Sequence, residues 1–116
     1  MPLDDNCLFC KIIRQEIPAD IVFEDDLVIA LRDINPQAPH HFLIVPKDHI
    51  PTINDIGPLH DDYLSAMFAA ARAIASDAAV ADGYRLVLNC GERAGQSVFH
   101  VHMHLLGGRA MRWPPG

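Results

Sequence analysis

An antiparallel α+β fold, a five-stranded sheet with helices packed on one face, is predicted by three observations on the sequence. Five short apolar runs, at residues 21–23, 27–31, 41–45, 84–88 and 98–106, are joined mainly by short turn-like segments. One long stretch with helical spacing lies between the third and fourth runs, and a short helical pattern precedes the first. Strands linked by turns pair antiparallel, and a lone long helix must cover a sheet face to bury its apolar stripe.

Residues 7–15 read as a short helix ended before Pro18. The runs at 21–23 and 27–31 flank Glu24-Asp25-Asp26, an acidic hairpin turn. Two prolines and an asparagine make 33–39 a loop, 41–45 is the third strand, and 47–58 is a polar connection. From Leu59 onward, Leu64, Met67, Phe68, Ala71, Ile74, Ala75 and Ala78 recur at i, i+3, i+4, with Gly83 as the helix stop. Residues 84–88 form the fourth strand, 91–95 a glycine-bounded turn, and 98–106 the last strand, closed by Gly107-Gly108.

At 116 residues the chain is read as one domain, 1–116, with one core and one site per subunit. A net charge of −6 gives no electrostatic reason to bind nucleic acid polymers, although local N–H groups and histidines can still hold a small anion. The N-terminal segment, Met1-Pro2-Leu3-Asp4-Asp5-Asn6, lacks the layout of a secretory signal, and the apolar stretch 65–81 is broken by Arg72 and Asp77. The expectation is a soluble, cytoplasmic protein with no membrane partner. Three cysteines make no disulfide framework; Cys90 reads as a space-filler, whereas Cys7 and Cys10 stand at CxxC spacing.

The chemistry concentrates in His100-Val101-His102-Met103-His104. Alternation along a strand sends the three imidazoles to one face. His100 and His104 would lie about 13 Å apart along that strand, too far to share one metal ion. A row with divided roles fits better: a central imidazole as nucleophile toward phosphorus, and a neighbour that binds phosphate. Just upstream, Asn89, Gly91, Gly95, Gln96 and Ser97 offer N–H groups and short polar side chains for phosphate oxygens and a leaving group.

Taken together these residues resemble the signature of the histidine triad (HIT) family, here His100-Val101-His102-Met103-His104-Leu105-Leu106. The similarity extends to its Hint branch, the purine nucleoside phosphoramidase group, through 9–18, 33–39, 41–49, Gly95-Gln96-Ser97 and the ending from Gly107 through Trp113-Pro114-Pro115-Gly116. The resemblance implies a HIT-like fold whose sheets join across a homodimer, and a reaction at the α-phosphorus of a purine nucleotide. It assigns His102 as nucleophile, His104 as its phosphate-binding partner with His41 opposite, and Ser97 as the aid to the leaving amine. Asn89, Gly95 and Gln96 match phosphate-loop contacts, Asp33 the ribose-binding carboxylate, and Ile34 and Phe9 the walls of the base pocket. Trp113 matches a tail position that reaches toward the partner subunit's site.

The Cys7-x-x-Cys10 pair can be half of a tetrahedral zinc site, completed by His49 and His100. Some bacterial members of the resembled family carry a structural zinc on such a set, whereas the animal Hint proteins differ at the cysteines. Two other readings stand beside zinc: small buried apolar residues on a helix turn, or a redox pair, for which the surrounding thioredoxin-like unit is missing. If zinc is bound, His100 is an anchor and only His102 and His104 are left to work. Catalysis itself needs no cofactor in this reading. The leading expectation is a hydrolase cleaving the P–N bond of AMP-type phosphoramidates through a nucleotidyl-histidine intermediate. A dinucleoside polyphosphate hydrolase and a nucleotide-binding regulatory protein are the alternatives.

Overall fold

The structure, a computed structural model, describes residues 3–116. Met1 and Pro2, where the acidic N-terminal segment begins, lie outside the described residues. Helix α1 (Leu8–Ile13) leads into strands β1 (Ile21–Glu24), β2 (Val28–Arg32) and β3 (His40–Pro46). The long helix α2 (Asp61–Asp77) follows, then β4 (Tyr84–Val87) and β5 (Met103–Gly107). The five strands form one antiparallel sheet in the order β1-β2-β3-β5-β4, so β1 and β4 are its edges. No helix among the described residues is long and apolar enough to cross a membrane.

The helices cover opposite faces of the sheet, which corrects the expectation of a single helical layer. The cause is visible in β2, where Val28, Ile29, Ala30 and Leu31 are all buried: an uninterrupted apolar strand needs cover on both sides. Val28 and Ala30, with Phe42, Ile44, Met103 and Leu105, pack beneath Met67, Ala70, Ala71 and Ile74 of α2. Ile29, Leu31 and Val45 face the other way, against Phe9, Cys10 and Ile12 of α1. The main core is therefore on the α2 side, and α1 roofs a smaller one.

Two boundaries differ from the sequence expectation by more than two residues, the end of α2 and the start of the last strand. Helix α2 stops at Asp77, six residues before Gly83, and the left-handed turn that closes it falls on Ala79 at φ 59°. Val80 N–H reaches the Ala75 carbonyl at 2.9 Å and Ala79 N–H the Ser76 carbonyl at 3.1 Å, the paired bonds of a Schellman cap. Helix α1 ends the same way on Gln15, φ 65°, with Glu16 N–H on Lys11 and Gln15 N–H on Ile12. The last strand begins at Met103, so His100 and His102 precede the paired ladder. Alternation survives all the same: Val101, Met103 and Leu105 are buried on the α2 side, while His100 and His102 meet Phe9 on the α1 side.

Candidate active site and metal centre

Strand pairing creates the histidine cluster. On β3 and β5, Leu43 stands opposite His104 and His41 opposite Leu106, which makes His41 and His104 diagonal neighbours on one face. Their rings meet, with His41 Nε2 2.8 Å from His104 Nδ1. The His102 ring lies 5.2 Å from that of His104, centroid to centroid, and 5.0 Å from that of Phe9.

The hydrogen bonds assign the tautomers. The His102 Nδ1 lies 2.7 Å from the His100 carbonyl, which can only accept, so Nδ1 carries the proton and the Nε2 lone pair stays open. His41 Nδ1 accepts the Gln37 backbone N–H at 3.0 Å, which puts the His41 proton on Nε2. That proton is donated to His104 Nδ1, and the neutral His104 ring then carries its own on Nε2. Neighbouring rings thus present opposite functions: an electron pair from His102 and an N–H from His104.

All three rings are held neutral at pH 7. Burial pushes His102 below its ordinary value against the opposing pull of its carbonyl bond and of Asp33. Burial lowers His104 to about 4, assisted by His102 and His41, and lowers His41 against the attraction of Asp33. Asp33 follows β2 with one carboxylate oxygen on the Asn35 N–H at 2.8 Å and the other 3.4 Å from His41 Nε2.

The histidines open on a cavity of about 380 Å³, walled by Phe9, Ile12, Leu31 and Ile34 and edged by Asp33, Ser97, His102 and His104. Ile34 is fully exposed at its rim and Ser97 is exposed at the other side. Asn89 is half-buried beyond β4, next to Gly95 at φ 97°. Gln96 is buried and spends itself inside its own loop. Its side chain accepts from Gly91 N–H at 2.8 Å and donates to the Pro51 and Val98 carbonyls, and its N–H bonds Gly91. Trp113 is 83% exposed and does not line the cavity within one chain. Sequence reasoning missed Ile12, although it is three residues from Phe9 on α1, and missed the Gln37 N–H, for which a sequence holds no signal.

Cys7, Cys10, His49 and His100 converge next to this cavity, their donor atoms all within 4.8 Å of one another. His100 Nδ1 is 3.2 Å from Cys7 Sγ, 3.4 Å from Cys10 Sγ and 3.3 Å from His49 Nδ1, and Cys10 Sγ is 3.3 Å from His49 Nδ1. A tetrahedron with bonds of about 2.0–2.3 Å has edges of about 3.3–3.8 Å, so the set fits a zinc-sized ion. Outer contacts agree. His100 donates Nε2–H to the Pro46 carbonyl at 2.8 Å, leaving Nδ1 as the ligand atom, and the Asp4 and Cys10 N–H groups point at the two sulfurs. Burial pushes the Cys10 thiol up to about 11, so deprotonating this pocket calls for a cation.

Comparison with known proteins agrees with this geometry. A crystal structure of a HIT family hydrolase from Legionella pneumophila superimposes with a TM-score of 0.93 at 53% identity, covering 96% of this chain and 100% of that one. The purine nucleoside phosphoramidase of Escherichia coli is 53% identical over 92% of this chain and 91% of its own length. The 14 kDa zinc-binding protein of Zea mays is 48% identical over 98% of this chain and 91% of its own. Fold and site therefore define a hydrolase with an antiparallel α+β sheet and a histidine row on one face. Residues 14–111 match the HIT domain, and the chain belongs to that family.

Proposed function

We propose that the chain hydrolyses the P–N bond of purine nucleoside 5′-phosphoramidates in two displacements, with His102 as nucleophile. The observation that carries this reading is the opposed pair of tautomers. The His102 Nε2 lone pair attacks phosphorus, while His104 Nε2–H donates to a phosphoryl oxygen and stabilises the charge gathering there. The His102–P bond forms as the P–N bond breaks, and the departing amine takes a proton from solvent, relayed by the exposed Ser97 hydroxyl and balanced by the proton that water releases in the second displacement. Water then displaces His102, releasing the nucleoside monophosphate and restoring the ring. Asp33 accepts from the ribose hydroxyls, Phe9 and Ile34 flank the base, and the loop carrying Asn89, Gly95 and Gln96 lies beside the phosphate. The phosphoramidase from E. coli supports the substrate class.

The cluster of Cys7, Cys10, His49 and His100 would hold zinc, which supplies a structural cross-link between α1 and the segment before β5; the maize relative supports it. The working unit is a homodimer, in which the open β4 edge and the exposed Trp113 meet a second copy; gel filtration tests this.

His102→Ala tests the catalytic reading. Turnover of an adenosine phosphoramidate should fall about 10⁴-fold while AMP binding remains measurable. Unchanged turnover would overturn it. Assays of adenylated lysine and a dinucleoside polyphosphate beside the phosphoramidate identify the preferred leaving group.

A further inference from the structure

We infer that the leaving amine has a subsite of its own beyond Ser97, walled by Leu8 and Phe99 and flanked by Asp4, which takes amines with an apolar stem and a second positive charge. This rests on the reading of His102 as nucleophile and of Ser97 as the residue beside the departing nitrogen. A second cavity of about 380 Å³ lies there, lined by Asp4, Leu8, Pro51, Ser97, Val98 and Phe99 among others. It shares Leu8, Ser97 and Val98 with the histidine cavity, whereas His102 and His104 line the histidine cavity alone.

The chemistry sets the direction. In a displacement at phosphorus the nucleophile and the leaving group stand on opposite sides, so a phosphoryl group attacked by His102 turns its nitrogen away from the histidines. Ser97 stands on the border of the two cavities, and a substituent on that nitrogen continues past it into the second one. The border is fixed by Gln96, whose buried side chain donates to the Pro51 and Val98 carbonyls and accepts from Gly91 N–H. The nucleoside already has its place on the other side, among Phe9, Ile12, Leu31 and Asp33.

The lining names the amine. Leu8 is 44% and Phe99 46% exposed, two large apolar side chains that open onto one cavity. Single apolar residues on a surface are ordinary, but two that wall one hollow beside the reacting groups let an apolar stem leave water. Asp4 is the one acid in that lining, and no lysine or arginine accompanies it among the described residues. Its backbone N–H is held by Cys10 Sγ at 3.3 Å, and its Oδ1 accepts the Asn6 N–H at 2.8 Å. Oδ2 lies 3.9 Å from His49 Nε2, too far for a hydrogen bond, and is open to a ligand cation.

Four adenosine 5′-phosphoramidates test this with the full-length protein: the unsubstituted compound and those of n-pentylamine, 1,5-diaminopentane and 5-aminopentanoate. The last three share a five-carbon stem and differ in the charge at its far end. The quantity read is kcat/KM, which covers binding and departure of the amine and leaves out the common hydrolysis of the intermediate. At low salt the diamine compound should exceed the pentylamine compound by about two- to fivefold, and the pentanoate compound should be the poorest of the three. Asp4→Asn, which keeps the bond to the Asn6 N–H, should bring diamine and pentylamine to within about 1.5-fold of each other. Phe99→Ala should lower the pentylamine compound relative to the unsubstituted one by about five- to tenfold. Circular dichroism checks that Phe99→Ala is folded; if it is not, Asp4→Asn, at an exposed residue, carries the test. Absence of a charge preference, one that Asp4→Asn leaves intact, equal losses on all four compounds in folded Phe99→Ala, or a stem preference that follows Trp113→Ala instead would overturn the inference. A protein that hydrolyses none of the four would count against the phosphoramidase reading, while Kd values for the same compounds still report on the subsite.

Discussion

At the scale of single residues, the site works by fixing where protons sit. His102 and His104 are two residues apart in sequence, yet their hydrogen-bond partners give them opposite tautomers. Because burial lowers His102, the acid limb of kcat/KM should fall at a pH below the ordinary histidine value of about 6.5; a pH–rate profile from 4 to 8 checks it. The stability sign follows from the same burial. His104 has a folded value of about 4, so between that and about pH 6.5 the unfolded chain binds more protons. Stability should therefore drop as pH falls through this window, and His104→Gln should flatten the drop in denaturant titrations. The histidine row was legible in the sequence because alternation is local. The pairing of His41 with His104, 63 positions apart, was legible only through the resemblance, and the Gln37 N–H that orients it was not legible at all.

At the scale of elements, the helix ends are where composition and conformation disagree. Both Schellman caps place a residue with a side chain at positive φ, Gln15 and Ala79, whereas Gly83 sits in open space with no such need. Ala79→Gly and Gln15→Gly should each stabilise by about 0.5–1 kcal/mol, seen as a Tm rise of about 2–6 °C. The opposite holds at Gly108, with φ 94° and a Cβ position 2.9 Å from the Pro39 Cβ: Gly108→Ala should cost about 2 kcal/mol by chemical denaturation. The apolar period of α2 carried over for Met67, Ala71, Ile74 and Ala75, which face the sheet, whereas Phe68 in that period is 48% exposed and the buried Ala70 lies outside it. The end of the helix did not carry over, since a Schellman turn is decided by hydrogen bonds and by the burial of Val80, which a search for glycine overlooks. The start of β5 was misjudged for a related reason: alternation continues through 98–102 while ladder pairing does not.

At the scale of the whole molecule, the sheet separates two kinds of surface. One face meets α2 and holds the larger core; the other meets α1 and carries both the imidazoles and the cysteines. Ile74→Ala, on the α2 side, should cost about 2–4 kcal/mol and leave kcat unchanged where the protein remains folded. Leu8→Ala, at the cavity rim, should raise KM with little loss of stability. Chelation should lower Tm by an amount that grows with the Zn²⁺ concentration used for the loaded reference. For protein engineering, this partition means that the two faces form nearly separate design problems. Substitutions in the α2 layer and at the cavity rim should combine additively, so a stabilised scaffold can be made first and its pocket diversified afterwards. The segment 98–102 is the exception, because it borders both layers, and libraries should leave it alone.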